Sequence, residues 1–244
     1  MKSLIEKIQK LGTEDSFRAI RDDLLKANSE KRDACYALLL AKLDDKDANI
    51  RHAAVKTLSW EILQQKSYFN PIQKKQVFDN LVYKMDHEKT TRIKKSAVKS
   101  VVMAIKKASV SGVKPDDREF YLDKVAGKLS MRNRELAVRQ TAETALIQNI
   151  INSDDFLNKN QNDKYIVQIA THPPLYSNLD STAIMNWANN TIKMLTPVKS
   201  DKRNAILFTE TLLSLEDKRL SRIIGVIEYD PQKGFVKKPH KNTL

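Results

Sequence analysis

Apolar residues recur at helical spacing along most of this chain, and between Asn28 and Asn152 they trace one helical hairpin about three times over. The clearest copy is Tyr36-Ala-Leu-Leu-Leu-Ala-Lys-Leu43, then Asp44-Asp-Lys-Asp47, then Asn49-Ile-Arg-His-Ala-Ala-Val-Lys-Thr-Leu58. The pattern returns 42 to 43 residues on as Phe78, Leu81, Met85 and Asp86, followed by Ile93, Lys94, Ala97 and Val98. It returns again as Leu122, Val125 and Leu129, then Val138, Arg139, Ala142 and Leu146. A fixed period in this range is the signature of stacked two-helix repeats, each of which buries its apolar face only against a neighbour.

Caps and breakers divide the chain into elements. Ser3 to Leu11 reads as a short amphipathic helix closed by Gly12, and Asp15 caps a second from Ser16 to Ala27. This pair is expected to cover the open end of the stack. Ser29 and Asp47 are the expected caps of helices over 30–43 and 48–65. Tyr68-Phe-Asn-Pro71 is the break before copy two, with Pro71 at a helix start. The first helix of copy two runs to about Met85, and Thr90 or Thr91 caps the second, which continues to about Ala108. Ser109 to Asp116 is a linker with Gly112 and Pro115. Copy three spans 117–130 and 134–152, with Asn133 as cap.

The repeat signal fades after Asn152. Helices are expected over 163–171, 181–195 and 201–215, separated by His172-Pro-Pro174 and Thr196-Pro197. Leu220 to Tyr229 fits either a helix end or a strand. The basic tail from Pro231 is expected to lack structure. The expected organisation is therefore a repeat stack over 1–152 with N-terminal capping helices, an irregular helical extension over 153–230, and a disordered tail over 231–244. Scarce glycine and abundant Leu, Ala, Lys and Ile support an all-α fold.

Composition adds the main functional clue. The net charge is +13, and it is uneven. Residues 1–50 carry ten basic and ten acidic side chains, whereas residues 51–150 carry 20 and ten. The basic excess thus sits on the repeats. In the second helix of copy two, Arg92, Lys95, Lys99 and Lys106 form a stripe apart from the apolar positions Ile93, Ala97, Val101, Ala104 and Ala108. His52 and Lys56 hold the positions of Lys95 and Lys99 in copy one. In copy three those positions are Gln140 and Thr144, so the stripe ends there. No acidic residue at i+4 balances these lysines. Lys56, Arg92, Lys95, Lys99 and Lys106 are accordingly the expected partner-binding residues.

Other chemistry finds no support. The four histidines share no metal-ligand spacing, and the glycines stand alone, so no phosphate loop and no cofactor is expected. Asp44, Asp45 and Asp47 lack the glycine and terminal glutamate of a calcium loop and read as caps. The single cysteine, Cys35, lies in an apolar run and reads as a buried thiol in a reducing compartment. Trp60, Trp187, Tyr68 and Phe69 are expected in the core. The charged N-terminus lacks a signal-peptide core and no apolar run approaches the length of a membrane helix, so a cytoplasmic protein without membrane insertion is expected.

The run Leu43-Asp-Asp-Lys-Asp-Ala-Asn-Ile-Arg-His-Ala-Ala-Val-Lys-Thr-Leu58 resembles the HEAT repeat, with an Asp-bearing turn, an apolar residue and Arg, then small and apolar positions. Copy two has Lys94 for the Arg, and copy three has Ser130 where the Asp would be. The resemblance covers about 30–152. It implies a right-handed α-solenoid whose second helices line a concave side, with Arg51, Lys94 and Arg139 bonding to turn carboxylates of adjoining repeats. Because such repeats serve many binding roles, the expected function is a non-catalytic scaffold that engages an acidic protein or peptide through its basic face. Phosphate-backbone binding to nucleic acid is the first alternative. The second comes from a further resemblance, to HEAT-like DNA-repair glycosylases, whose concave clefts combine tryptophans with an acidic residue. This sequence has two tryptophans and no evident Trp–Asp pairing.

Overall fold

The computed structural model describes residues 8, 20, 23–24, 26–63, 69–111, 113–130, 135–153, 156–174, 180–196, 202–215 and 221–238. They are mostly helical, with one small two-stranded sheet, as the all-α expectation requires. The chain divides into two compact units, Met1–Asp123 and Lys124–Leu244. The expected N-terminal helices lie largely outside the described residues, although Ile8, Ile20 and Leu24 are fully buried.

In the first unit, α1 spans Ser29–Ala41 and ends in a 3-10 turn over Lys42–Asp44. Its cap is Asn28, whose side chain accepts from the Lys31 amide, so the expected cap Ser29 is instead the first helical residue. Helix α2 spans Ala48–Ile62 and is capped by Asp47, which accepts from the Asn49 amide at 2.7 Å. Helix α3, Pro71–His87, opens with a reciprocal capping box between Asn70 and Gln73. Pro71 sits in the first turn, where its missing N–H has no partner to lose.

Helix α4 spans Thr91–Lys106 behind Thr90, which makes no capping bond. The Thr90 hydroxyl accepts instead from Arg51 Nη2 at 3.2 Å. The expected linker that follows is partly helical. Ala108–Ser111 forms one turn, held by Ser111 Oγ donating to the Ala104 carbonyl at 2.6 Å, and Pro115–Asp117 forms a 3-10 turn. Gly112 lies outside the described residues.

Helices α2, α3 and α4 pack against one another, and α1 against α2. Their shared core holds Leu39, Leu58, Ile62, Phe78, Leu81, Met85, Ile93, Val101 and Ile105, all fully buried. Burying one such side chain is worth roughly 1.5–3 kcal/mol. Ala54 and Ala97 are fully buried and Ala53 nearly so, placing small side chains where helices approach. Phe69 is buried edge-on to Tyr36 at 5.0 Å, as a core residue should be. Tyr68 lies outside the described residues.

Helix α5 spans Arg118–Ala126 and leads to a 3-10 turn over Gly127–Ser130. In the second unit, α6 runs Leu136–Leu146 and continues as a π-helical turn over Ile147–Ile151. Asn133 lies outside the described residues. Helix α7, Lys159–Thr171, starts earlier than expected because Asn158 and Gln161 form another capping box. Helix α8 is Ser181–Leu195, capped by Asp180, and α9 is Arg203–Leu213. Helix α9 packs on both α7 and α8.

Leu220 to Tyr229 resolves into both of its expected alternatives: a short turn of helix at Ser221–Ile224, then strand β1 at Ile227–Asp230. Strand β2, Gly234–Lys237, pairs antiparallel with it, Ile227 opposite Lys237 and Asp230 opposite Gly234. The tail expected to lack structure from Pro231 is therefore ordered through Lys238. The reason is local turn chemistry. Asp230 Oδ1 accepts from the amides of Gln232 and Lys233, and Gly234 takes φ 78°. Asn189 on α8 then bonds both backbone groups of Phe235.

Candidate functional site

Helix α4 positions the basic stripe by burying its apolar positions Ile93, Ala97, Val98, Val101, Val102, Ala104 and Ile105. Beyond Thr91, its exposed residues are Arg92, Lys99 and Lys106, while Lys95 is half-buried. On α2 the exposed residues are Asn49, Lys56 and Trp60. The exposed windows of both helices therefore carry no acidic side chain.

Two cross-helix hydrogen bonds fix the register of these windows. Arg92 Nη2 donates to Asn49 Oδ1 at 2.7 Å, and His52 Nε2 and Ser96 Oγ share a hydrogen bond of 2.9 Å. The bonded residues lie 43 and 44 apart in sequence, so the first turns of α2 and α4 are held side by side. Of the predicted residues, Lys56 is exposed on α2, Arg92, Lys99 and Lys106 are exposed on α4, and Lys95 is half-buried there. Trp60, expected in the core, is 44% exposed. It lies at i+4 from Lys56, among the exposed residues of α2.

The cations assigned to structure are not among these exposed residues. Arg51 donates from Nε and Nη2 to Glu88 at 3.2 and 3.0 Å, and from Nη1 to the Asp45 and Lys46 carbonyls. Lys84, which is buried, donates to Asp44 at 2.8 Å, and its ammonium lies 3.7 Å from Glu88. Burial alone would raise the Glu88 pKa. Hydrogen bonds from Arg51 and the Thr90 amide, with the charges of Arg51 and Lys84, outweigh it and bring the group to about 2. Lys94 is buried as well. The carboxylate holding Arg51 is Glu88, in the turn between α3 and α4.

Arg139 is 1% exposed and pairs with Glu143 of its own helix at 3.0 Å. It also donates to the Leu129 and His172 carbonyls. Glu143 Oε1 accepts from Trp187 Nε1 at 2.8 Å and from Thr191 Oγ1 at 2.7 Å. The sequence reading missed this buried Trp–acid pair. Its available signal was a Glu at i+4 from an Arg on an apolar helix face. Gln140, Thr144, Asn186, Trp187, Asn190 and Met194 line a cleft of about 450 Å³ above it.

Among the described residues, no group of three His, Cys, Asp or Glu side chains is placed to hold a metal ion, and no helix is long and apolar enough to cross a membrane. Cys35 is buried, and burial raises its pKa, which keeps the thiol protonated and unreactive.

No protein-family model matches the chain, and no curated protein matches it. Among solved structures it is similar to two crystal structures of engineered proteins from a structural genomics consortium. One is 14% identical with a TM-score of 0.31, covering 87% of this chain and 97% of that one. The other has the same identity and TM-score and covers 92% and 96%. Likeness at that level carries no argument about function.

Proposed function

We propose that the chain is a non-catalytic binding scaffold of the HEAT-like α-solenoid class, and that the common face of α2 and α4 takes the phosphates of a nucleic acid. The observation that carries this reading is the make-up of that face. Arg92, Lys99 and Lys106 are the exposed residues of α4 beyond Thr91, and Lys56 is exposed on α2. The exposed residues of α2 and α4 include cations and no acidic side chain, and a surplus of cations gives a surface a positive field that draws in a polyanion. The solenoid assignment is supported by the sequence period, the packing of α2 on α4 and the Arg51–Glu88 link between copies.

Charge by itself does not separate phosphates from carboxylates, and an acidic protein or peptide is the occupant expected from charge alone. The exposure of Trp60 beside Lys56 favours nucleic acid, because nucleic-acid grooves combine cations with aromatic surfaces. Base excision is no part of the proposal. The Glu143 carboxylate is 3% exposed, and its oxygens are engaged by Arg139, Trp187 and Thr191.

Competition among DNA, heparin and polyglutamate, run on wild type and on the double variant Lys95→Glu, Lys99→Glu, tests this reading. DNA should be held in preference to polyglutamate, and the variant should lose it while melting as wild type does. A folded double variant that binds DNA unchanged would remove the face from function.

A further inference from the structure

We infer that Trp60 is a base-stacking platform, so that the occupant of the α2–α4 face is a single-stranded nucleic acid. The inference rests on the phosphate-binding reading above and deepens it.

A tryptophan at a helical position is ordinarily drawn into the core, and the sequence around Trp60 offers it one. Its neighbours Ser59, Glu61 and Ile62 are all buried. Trp60 nevertheless stands out with 44% of its surface exposed, at the cost of leaving a large apolar ring in water. Its surroundings on that surface are cationic. Lys56 precedes it by one turn on α2. The bonds Asn49–Arg92 and His52–Ser96 hold α2 beside α4, whose exposed residues beyond Thr91 are Arg92, Lys99 and Lys106. The ring therefore lies one helical turn from an exposed cation, on a helix bonded to the one that carries the rest.

This combination selects among polyanions. In a duplex the bases are stacked on one another and offer no face to a protein ring. An acidic peptide has carboxylates for the lysines but gains little from an indole. A single strand presents phosphates to the cations and unstacked bases to the ring at the same time. Every base has a π face, so such contacts tolerate sequence. The half-buried polar side chains of His52 and Ser96, bonded to each other across α2 and α4, suit a sugar-phosphate chain better than an apolar ligand.

Fluorescence titration with oligothymidylate of about twelve nucleotides at low salt tests the inference, with a duplex and polyglutamate as comparators. The expected result is quenching of tryptophan emission by the single strand. It should disappear in Trp60→Phe, where Trp187, buried beneath its cleft, is the remaining indole. Trp60→Ala should weaken oligothymidylate binding roughly five- to hundredfold and leave polyglutamate binding unaltered. Trp60→Phe should keep most of the affinity, since a phenyl ring still stacks. If Trp60→Ala binds the single strand as wild type does while Lys56→Glu with Lys99→Glu abolishes binding, the stacking role is overturned and the phosphate-binding face stands. If the lysine variant also binds as wild type, the face itself is overturned. A duplex or polyglutamate bound as tightly as the single strand would overturn the choice of occupant.

Discussion

The Arg51 guanidinium grips the Glu88 carboxylate by two edges, Nε to Oε2 at 3.2 Å and Nη2 to Oε1 at 3.0 Å. It joins the start of α2 to the turn between α3 and α4, so the pair ties two copies of the repeat together. Planar two-point contacts of this kind are among the stronger ionic hydrogen bonds.

The pair predicts an acid limb in the stability curve. Glu88 has a folded pKa of about 2 against an ordinary value of 4.5. A carboxyl with a depressed folded pKa stabilises the fold above its unfolded pKa, and that contribution is lost as pH falls through the folded value. At about 1.4 kcal/mol per pH unit the depression corresponds to roughly 3 kcal/mol. Glu88→Gln should be less stable at neutral pH and should lose less stability between about pH 5 and pH 2. Urea melts across that range would show this, and parallel pH profiles for the two proteins would count against it.

Buried alanines set the helix approach in the first unit. Ala54 and Ala97 are fully buried on α2 and α4. Replacing either with Glu should cost several kcal/mol, because a charge would be left in an apolar seam without a partner. Lys99→Glu, on the opposite face of α4, should stay within about 0.5 kcal/mol of wild type. Thermal melts of the three variants should separate them cleanly, and wild-type behaviour of Ala54→Glu or Ala97→Glu would refute the packing register.

Removing different partners from Glu143 should have graded effects. Glu143→Ala leaves the buried Arg139 guanidinium without its counter-charge and should cost about 3–5 kcal/mol. Trp187→Phe removes one donor while Arg139 and Thr191 still hold the carboxylate. It should cost about 1–2 kcal/mol. Chemical denaturation gives the order, and a larger loss in Trp187→Phe would show that ring packing, not the ion pair, dominates the cluster.

Local signals were the most legible part of this sequence. Helix α8 matches its expected span, Ser181–Leu195, because Asp180 begins it and the following Thr-Pro pair cannot continue it. The turn Asp230 to Gly234 was equally readable, as an Asp, a Pro and a Gly between β-rich runs, but the surrounding lysines pointed to a solvated tail. The Asn28 cap is one residue from Ser29, and both side chains are capable of capping. Trp60 was illegible for a different reason. Periodicity assigns residues to faces of one helix, but which face stays exposed depends on where α3 and α4 lie against α2. The Glu143–Trp187 bond joins residues 44 apart in sequence, a distance over which only packing decides who meets.

The salt dependence of oligothymidylate binding, measured on wild type and on Lys56→Gln with Lys99→Gln, bears most directly on the α2–α4 face. Each phosphate contact on a single strand contributes roughly 0.7 to the slope of log K against log salt. Loss of both cations should reduce the magnitude of the slope by about 1.4 and weaken binding, with the melting temperature unaltered. An unaltered slope and affinity in the folded double variant would contradict the proposal that this face holds phosphates.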